Sequence, residues 1–253
     1  MIKRFDSKSV VVTGGASGIG KAVAQRLAAE GASVMIGDLN LDNAQAVALA
    51  IGKEHGVEAH AFKVDVAEPD ECKALVEHAV AALGKLDVLV NCAGVMEWFR
   101  SDEYPEQRFE RVLRINLFSV FYLNKYALPH LLKAHGNVVS ISSAASLAGV
   151  PYASAYCASK GGINAMTRSM AVEYAEQGVR FNAICPGAVE TPMNLPDALP
   201  VWGDMDKITR MSPKTGLASS PEEIAAAVAY LASPEACNVT GTMFSVDGGQ
   251  TAG

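Results

Sequence analysis

The sequence predicts an α/β fold: one domain, spanning 1–253, built on a doubly wound parallel sheet of about seven strands with helices on both faces. Three observations carry this prediction. Short Val- and Ile-rich runs alternate with longer Ala-rich helical runs along all 253 residues. The apolar runs are continuous rather than alternating with polar residues, as expected of strands covered on both faces. No linker, repeat or low-complexity tract breaks the rhythm. Right-handed crossovers then make the sheet doubly wound.

The elements follow in order. "SVVVTG" near 9–14 is the first strand, and it runs straight into a glycine turn. In the next stretch, "GKAVAQRLAAEG", apolar residues recur at three- and four-residue spacing, the mark of a helix with one buried face. "ASVMIGD" at 32–38 and "VEAHAFKVDV" at 57–66 are the second and third strands. "PDECKALVEHAVAALG" repeats the helical spacing before the fourth strand, "LDVLVNCAG" at 86–94. Two long helices, around 107–134 and 154–176, bracket "GNVVSISS" at 136–143. "VRFNAICPG" at 179–187 is the sixth strand and "TMFSVDGG" at 242–249 the last. The proline-rich region at about 188–220 lacks the strand–helix beat, and so long an insertion is expected to act as a lid.

Composition excludes several functions. The 21 basic and 27 acidic residues leave a net charge of -6, so no nucleic-acid partner is expected. No apolar run is long enough to cross a bilayer, and no membrane partner is expected. The apolar run near the N-terminus is too short for a signal peptide, and thiols expected to stay reduced make the cytoplasm the default compartment. Five widely spaced cysteines form no CxxC pair, and none of the five histidines sits in HExxH. We therefore expect reduced thiols that mostly fill apolar space, with no metal site.

The turn after the first strand holds Gly14, Gly18 and Gly20, with a helix opening at about Gly18. Glycines there let backbone approach a pyrophosphate, which sits on the helix's exposed amides. The arrangement is Rossmann-like, and Ser17 and Ile19 of the same loop join the expected cofactor contacts. Asp38, about twenty residues on, ends the second strand. Its carboxylate accepts hydrogen bonds from an adenosine ribose and repels a 2′-phosphate. Leu39 beside it offers no cation, and neither does the glycine loop, so NAD is expected rather than NADP.

"YCASK", Tyr156 to Lys160, sets a phenol and an ammonium one helical turn apart, where they share a face. With "TGGASGIG" (13–20), "NCAG" (91–94), Asn116 in "RINLF", "SISSAAS" (140–146) and "PGAVETPM" (186–193), it makes an ordered set. In these motifs the chain resembles the short-chain dehydrogenase/reductase family across essentially its whole length. The resemblance implies a catalytic tetrad of Asn116, Ser143, Tyr156 and Lys160. Ser143 is chosen over Ser142 because it precedes the tyrosine by the family's usual interval. Asp65 and Val66 match the adenine-binding pair. Asn91, Ala93 and Gly94 match the segment along the ribose and pyrophosphate. Pro186, Val189 and Thr191 match the segment that holds the nicotinamide carboxamide. The family often has a second asparagine where this chain has Cys92.

The implied reaction interconverts a secondary alcohol and a ketone by hydride transfer. Free tyrosine, with a pKa of about 10, is a poor base at neutral pH, and a nearby ammonium favours its phenolate. Tyr156 is then the general acid/base, and Lys160 tunes it and holds the ribose. Ser143 bonds the substrate oxygen. By resemblance, the side chain of Asn116 or a local backbone distortion there holds water in a proton path. Gly161 and Gly162 are expected to permit close helix packing.

Candidate pocket walls are Val95, Met96 and Trp98, then Leu147 to Tyr152, then the 192–213 segment, which Met193, Leu195, Leu199, Val201, Trp202 and Met211 make apolar. These suit an apolar, alicyclic or steroid-like substrate, with Glu97, Asp102 and Glu103 as a solvated acidic rim. The rival enzyme reading is a 3-oxoacyl-(acyl carrier protein) reductase, which Asp38, Glu173 and Glu176 disfavour. A catalytically silent NAD-binding scaffold is the other class, and it would be expected to lack a tetrad residue. The two long helices and the "VDGGQTAG" segment resemble those through which relatives assemble, so a homotetramer is expected.

Overall fold

The computed structural model describes residues 3–194, 200 and 202–252. The chain lays down β1 (Ser9–Thr13), α1 (Gly18–Ala29), β2 (Ser33–Asp38), α2 (Leu41–His55), β3 (Ala59–Lys63) and α3 (Pro69–Leu83). It continues through β4 (Val88–Asn91), α4 (Glu106–Leu113), a π turn (Arg114–Phe118), α5 (Ser119–Ala134) and β5 (Asn137–Ile141). Then come α6 (Ser154–Tyr174), β6 (Arg180–Pro186), α7 (Met205–Thr209), α8 (Pro221–Ala232) and β7 (Met243–Val246).

All seven strands form one parallel sheet in the order β3-β2-β1-β4-β5-β6-β7. Side chains alternate faces along each strand, so the central strands feed two cores. Val10, Val12, Val34 and Ile36 pack with Leu27, Val47, Ile224 and Val228 on one side. Val11, Met35, Leu89 and Val138 pack with Leu75, Leu123 and Leu131 on the other. Each fully buried side chain of this size contributes about 1.5–3 kcal/mol, which is why the runs read as unbroken Val and Ile. β1 lies between β2 and β4, where the winding reverses, and a crevice opens there above the strands' C-terminal ends.

The strands are shorter than the apolar runs at 57–66, 86–94 and 242–249. Of the surplus residues, Val64 to Val66 and Cys92 to Gly94 leave the ladder at the strands' C-terminal ends and line the crevice. The long helix expected around 107–134 is α4 and α5 joined through the π turn, where the Ser119 N–H donates to the Arg114 carbonyl five residues back. Within 188–220, α7 is capped by Asp204. A bridge between Val189 and Ser219 ties one side of this segment. The Lys214 N–H donates to the Gly248 carbonyl at 2.8 Å and ties the other.

Candidate active site

A cleft of about 710 Å³ lies above the switch point and collects residues from stretches spread along the chain between Gly14 and Gln250. Gly14 and Gly20 shape its floor. Gly14 has φ +66°, and a Cβ on it would come within 2.9 Å of the Ala93 Cα. A Cβ on Gly20 would meet the Gly14 carbonyl oxygen at 2.2 Å. Neither position admits a side chain. Ser17, in extended conformation, makes no side-chain cap bond, and the first turn of α1 carries no carboxylate. A twelve-residue helix thus opens its amides toward a cleft lined by Ser17, Gly18 and Ile19. Backbone donors and helix dipole together fit a pyrophosphate.

Asp38 lines the same cleft. One carboxylate oxygen accepts the Ala16 N–H at 3.0 Å and the other the Asn40 N–H at 2.9 Å. These bonds aim the carboxylate from β2 and tie it to the glycine loop. Leu39 also lines the cleft, and among the described lining residues the only cations are Arg111 and Lys160. Asp65 and Val66 line it too, with the Asp65 side chain accepting the Ala67 N–H at 2.9 Å. So do Ala93, Gly94, Pro186, Val189 and Thr191. The glycine cradle, the open helix start and the carboxylate at the β2 end fit a nicotinamide dinucleotide.

Asn91 is placed otherwise. Its side chain donates to the Asn124 Oδ1 at 2.9 Å and to the Ser140 Oγ at 3.2 Å, away from the cleft. As the last ladder residue of β4, Asn91 follows the strand's alternation and ties α5 to β5. Cys92 next to it does line the cleft, and burial pushes its thiol up to about 12, so it stays a protonated filler. All five cysteines are free, and Cys237 is exposed rather than packed.

The four tetrad residues converge around the cleft. Tyr156, Ser143 and Lys160 line it directly. Burial pushes the Tyr156 phenol up to about 12, and a hydrogen bond with the Ser143 side chain works against that rise. Lys160 is 4 % exposed, and burial lowers its ammonium to about 8. It donates to the Ile141 carbonyl at 2.7 Å and stands 5.5 Å from the centre of the Tyr156 ring. Asn116 is fully buried in the π turn. Its Oδ1 accepts the Val95 N–H at 2.8 Å, and its Nδ2 donates to the Val95 carbonyl at 2.9 Å and to the Ser159 Oγ at 3.1 Å. With those bonds made, the side chain works as a clasp on the loop after β4. Of the two alternatives for this residue, the backbone distortion is present.

Ser142 also lines the cleft, but its hydroxyl is spent on the Lys160 carbonyl, to which it donates at 3.1 Å. Gly162 fits the close-packing expectation, since a Cβ there would meet Leu117 at 2.7 Å. Gly161 does not, as it has open space beside it.

Val95, Met96, Trp98, Val150, Met193 and Met211 line the cleft. Leu147 and Tyr152 do not: Leu147 is exposed, and Tyr152 stacks edge-on against Trp202 at 5.2 Å. Leu195, Leu199 and Val201 lie outside the described residues. Met205 and Ile208 of α7 fall within the 192–213 segment expected to wall the pocket, whereas sequence reasoning missed Gln250, Arg111 and Ile115. It also misplaced Glu97. That carboxylate is 9 % exposed and held at 2.9 Å by Arg108 and at 2.8 Å by Arg111, whereas Asp102 and Glu103 are exposed.

No group of three or more His, Cys, Asp or Glu among the described residues is placed to hold a metal ion. Nor is any helix among them long and apolar enough to cross a membrane.

Comparison with known proteins adds a consistent pattern. A family model described as enoyl-(acyl carrier protein) reductase matches residues 14–251. The chain is 40% identical to cis-4-hydroxycyclohexanecarboxylate dehydrogenase of Sinomonas cyclohexanicum, covering 100% of both chains. It is 38% identical to cyclohexanol dehydrogenase of Acinetobacter sp. (strain SE19), over 99% of this chain and 98% of that one. It is also 36% identical to the 3-oxoacyl-[acyl-carrier-protein] reductase FabG of Thermotoga maritima, over 97% of this chain and 98% of that one. Among solved structures, a short-chain dehydrogenase from Burkholderia cenocepacia in complex with NADP superposes with a TM-score of 0.89. It shares 32% identity, covering 98% of this chain and 99% of that chain.

Proposed function

Because the chain belongs to the short-chain dehydrogenase/reductase family and is an oxidoreductase working with a nicotinamide cofactor, we propose that it interconverts an apolar, alicyclic secondary alcohol and its ketone with NAD. The observation that carries this reading is the Tyr156 phenol, hydrogen-bonded to Ser143 and backed by Lys160, at the wall of a cleft whose other end is apolar.

The nicotinamide, when bound, supplies the hydride acceptor for oxidation or the donor for reduction. The chain's own residues do the rest. The glycine loop, the start of α1 and Asp38 would hold the dinucleotide, with Asp65, Val66, Ala93, Gly94, Pro186, Val189 and Thr191 as its further contacts. Lys160 would hold its nicotinamide ribose by the ammonium. Ser143 donates to the substrate oxygen and stabilises charge growing there. Tyr156 gives its phenolic proton to that oxygen in reduction and takes it back in oxidation, a contribution of about 100- to 10,000-fold. Asn116 keeps the Val95 loop against the cleft. Residues 188–220 act as the lid, with α7 presenting Met205 and Ile208 to the substrate.

NAD is preferred over NADP because Asp38 stands where a 2′-phosphate would need a cation, and the exposed Leu39 supplies none. An acyl-carrier substrate is disfavoured by Glu173 and Glu176, both exposed near the end of α6 where an acidic carrier needs positive charge. A silent scaffold is disfavoured by the complete tetrad. The homotetramer reading is supported by Phe118 and Phe121, which leave 41% and 49% of their surface exposed on the α4–α5 helix.

The test is an NADH-fluorescence screen of alcohols and ketones graded by size and polarity, with NADP in parallel and Tyr156→Phe as control. Equal turnover by parent and Tyr156→Phe would sink the mechanism. Preference for NADP would sink the cofactor assignment.

A further inference from the structure

We propose that Asn164 and Ser146 are positioning residues that set Ser143 against Tyr156, so that the helix carrying the acid/base group also fixes the serine. This inference rests on the reading of Ser143 and Tyr156 as the reaction centre.

Ser143 follows β5 in extended conformation and starts the short turn Ala144–Ser146. Its hydroxyl oxygen accepts the Ala145 N–H at 3.1 Å. Its carbonyl accepts the Ser146 N–H at 2.9 Å and the Ser146 hydroxyl at 2.5 Å. The Ser146 proton is therefore committed to Ser143, and the Ser146 oxygen needs a donor. Asn164 supplies it: its Nδ2 reaches the Ser146 Oγ at 2.7 Å. Asn164 is 3 % exposed, so this bond is sheltered from water. The Cys185 Sγ of β6 closes the remaining side, 3.6 Å from the Ser146 Oγ and 3.9 Å from the Asn164 amide.

Tyr156, Lys160 and Asn164 follow one another at four-residue steps on α6 and share a face. The Lys160 carbonyl takes the Ser142 hydroxyl, while Asn164 takes Ser143 through Ser146. α6 thus grips the end of β5 at two points one turn apart. Without the second grip, the Ser143 turn keeps its local bonds from the Ala145 and Ser146 N–H groups and loses its buried tie to Asn164. A displacement of about 1 Å in a reacting group can cost about a hundredfold in rate, so the clasp has a catalytic consequence although neither residue touches substrate.

Three substitutions separate positioning from mere packing. Asn164→Leu keeps the volume and removes the donor. Asn164→Asp keeps the shape but offers an acceptor, which draws the Ser146 proton off the Ser143 carbonyl. Ser146→Ala breaks the clasp without altering α6, and so keeps the proposal open to test if an Asn164 variant fails to fold. We expect kcat to fall about ten- to a hundredfold in each, with the NADH dissociation constant within about twofold of the parent. In a Ser143→Ala background, the same substitutions should change kcat by less than about twofold, because residues acting through one group are not additive. Equal losses in both backgrounds, or a kcat within about twofold of the parent in the Ser143 background, would overturn the proposal. A crystal structure of Ser146→Ala or Asn164→Leu gives a readout independent of turnover. The Ser143 hydroxyl should have left hydrogen-bond range of the Tyr156 phenol, and an unmoved hydroxyl would refute the clasp. If the parent turned over no alcohol or ketone, the functional reading would fail while this structural arm still decided the clasp.

Discussion

At the scale of single residues, the acid/base pair carries opposite electrostatic loads. Burial holds the Tyr156 phenol up at about 12 and the Lys160 ammonium down at about 8. At neutral pH the phenol therefore keeps its proton, the form that reduction consumes. We expect alcohol oxidation to rise between pH 6 and pH 9 as the small phenolate fraction grows, while ketone reduction stays within about twofold, and initial rates in both directions check this. Tyr156→Phe should lower both by at least about a hundredfold. Lys160 also makes stability depend on pH. Its folded value lies below its ordinary 10.5, so between about 8 and 10.5 the unfolded chain binds the proton and the folded chain does not. Stability then rises with pH across that window, by up to about 3 kcal/mol. Thermal midpoints of the cofactor-free parent against Lys160→Met, from pH 7 to pH 10, should show a gain in the parent alone. Reactive residues at fixed spacing were legible in the sequence, because their chemistry limits the choice of side chain. The Asn91 side chain points to α5 and β5, a direction that motif position says nothing about. The Asn164–Ser146 contact joins residues whose neighbourhood only the folded helix and turn create, and no spacing announces it.

Secondary-structure elements turn those residues into a site. The π turn puts Asn116 fully inside, with its amide on the backbone of Val95. Asn116→Ala strands a buried amide and carbonyl, and should cost about 1–3 kcal/mol in urea unfolding. The extra residue in that helical turn was invisible in the apolar run "VLRINLFSVFYL", which has the spacing of an ordinary helix. The end of β2 offers a cleaner switch. Asp38→Ala combined with Leu39→Arg exchanges a carboxylate for a cation, and charge-assisted bonds of about 1.5–3 kcal/mol should raise kcat/KM for NADP about tenfold or more. Steady-state rates with both cofactors measure it. Strand cores were legible from composition, while their ends were not. The residues that leave the ladder to serve the cleft look as apolar as those that remain.

For the whole molecule, the doubly wound parallel sheet was the most legible property, since alternating strands and helices with right-handed crossovers leave few arrangements open. Less legible was the 188–220 segment, whose α7 is five residues long and has no sheet to set its pattern. The exposed Phe118 and Phe121 bear on assembly. Sedimentation velocity should show a tetramer for the parent, and Phe121→Lys should move the boundary toward smaller species. A parent at monomer mass across micromolar concentrations would refute the assembly. Finally, the protein has two tryptophans. Trp98 lines the cleft, and Trp202 leans on Tyr152, whose hydroxyl accepts the Asp204 N–H at the cap of α7. Every indole in the chain therefore stands at the cleft or at the segment beside it. The molecule is its own optical sensor: excitation of tryptophan alone reads ligand arrival and movement of that segment without an attached dye, and Trp98→Phe and Trp202→Phe assign the two signals.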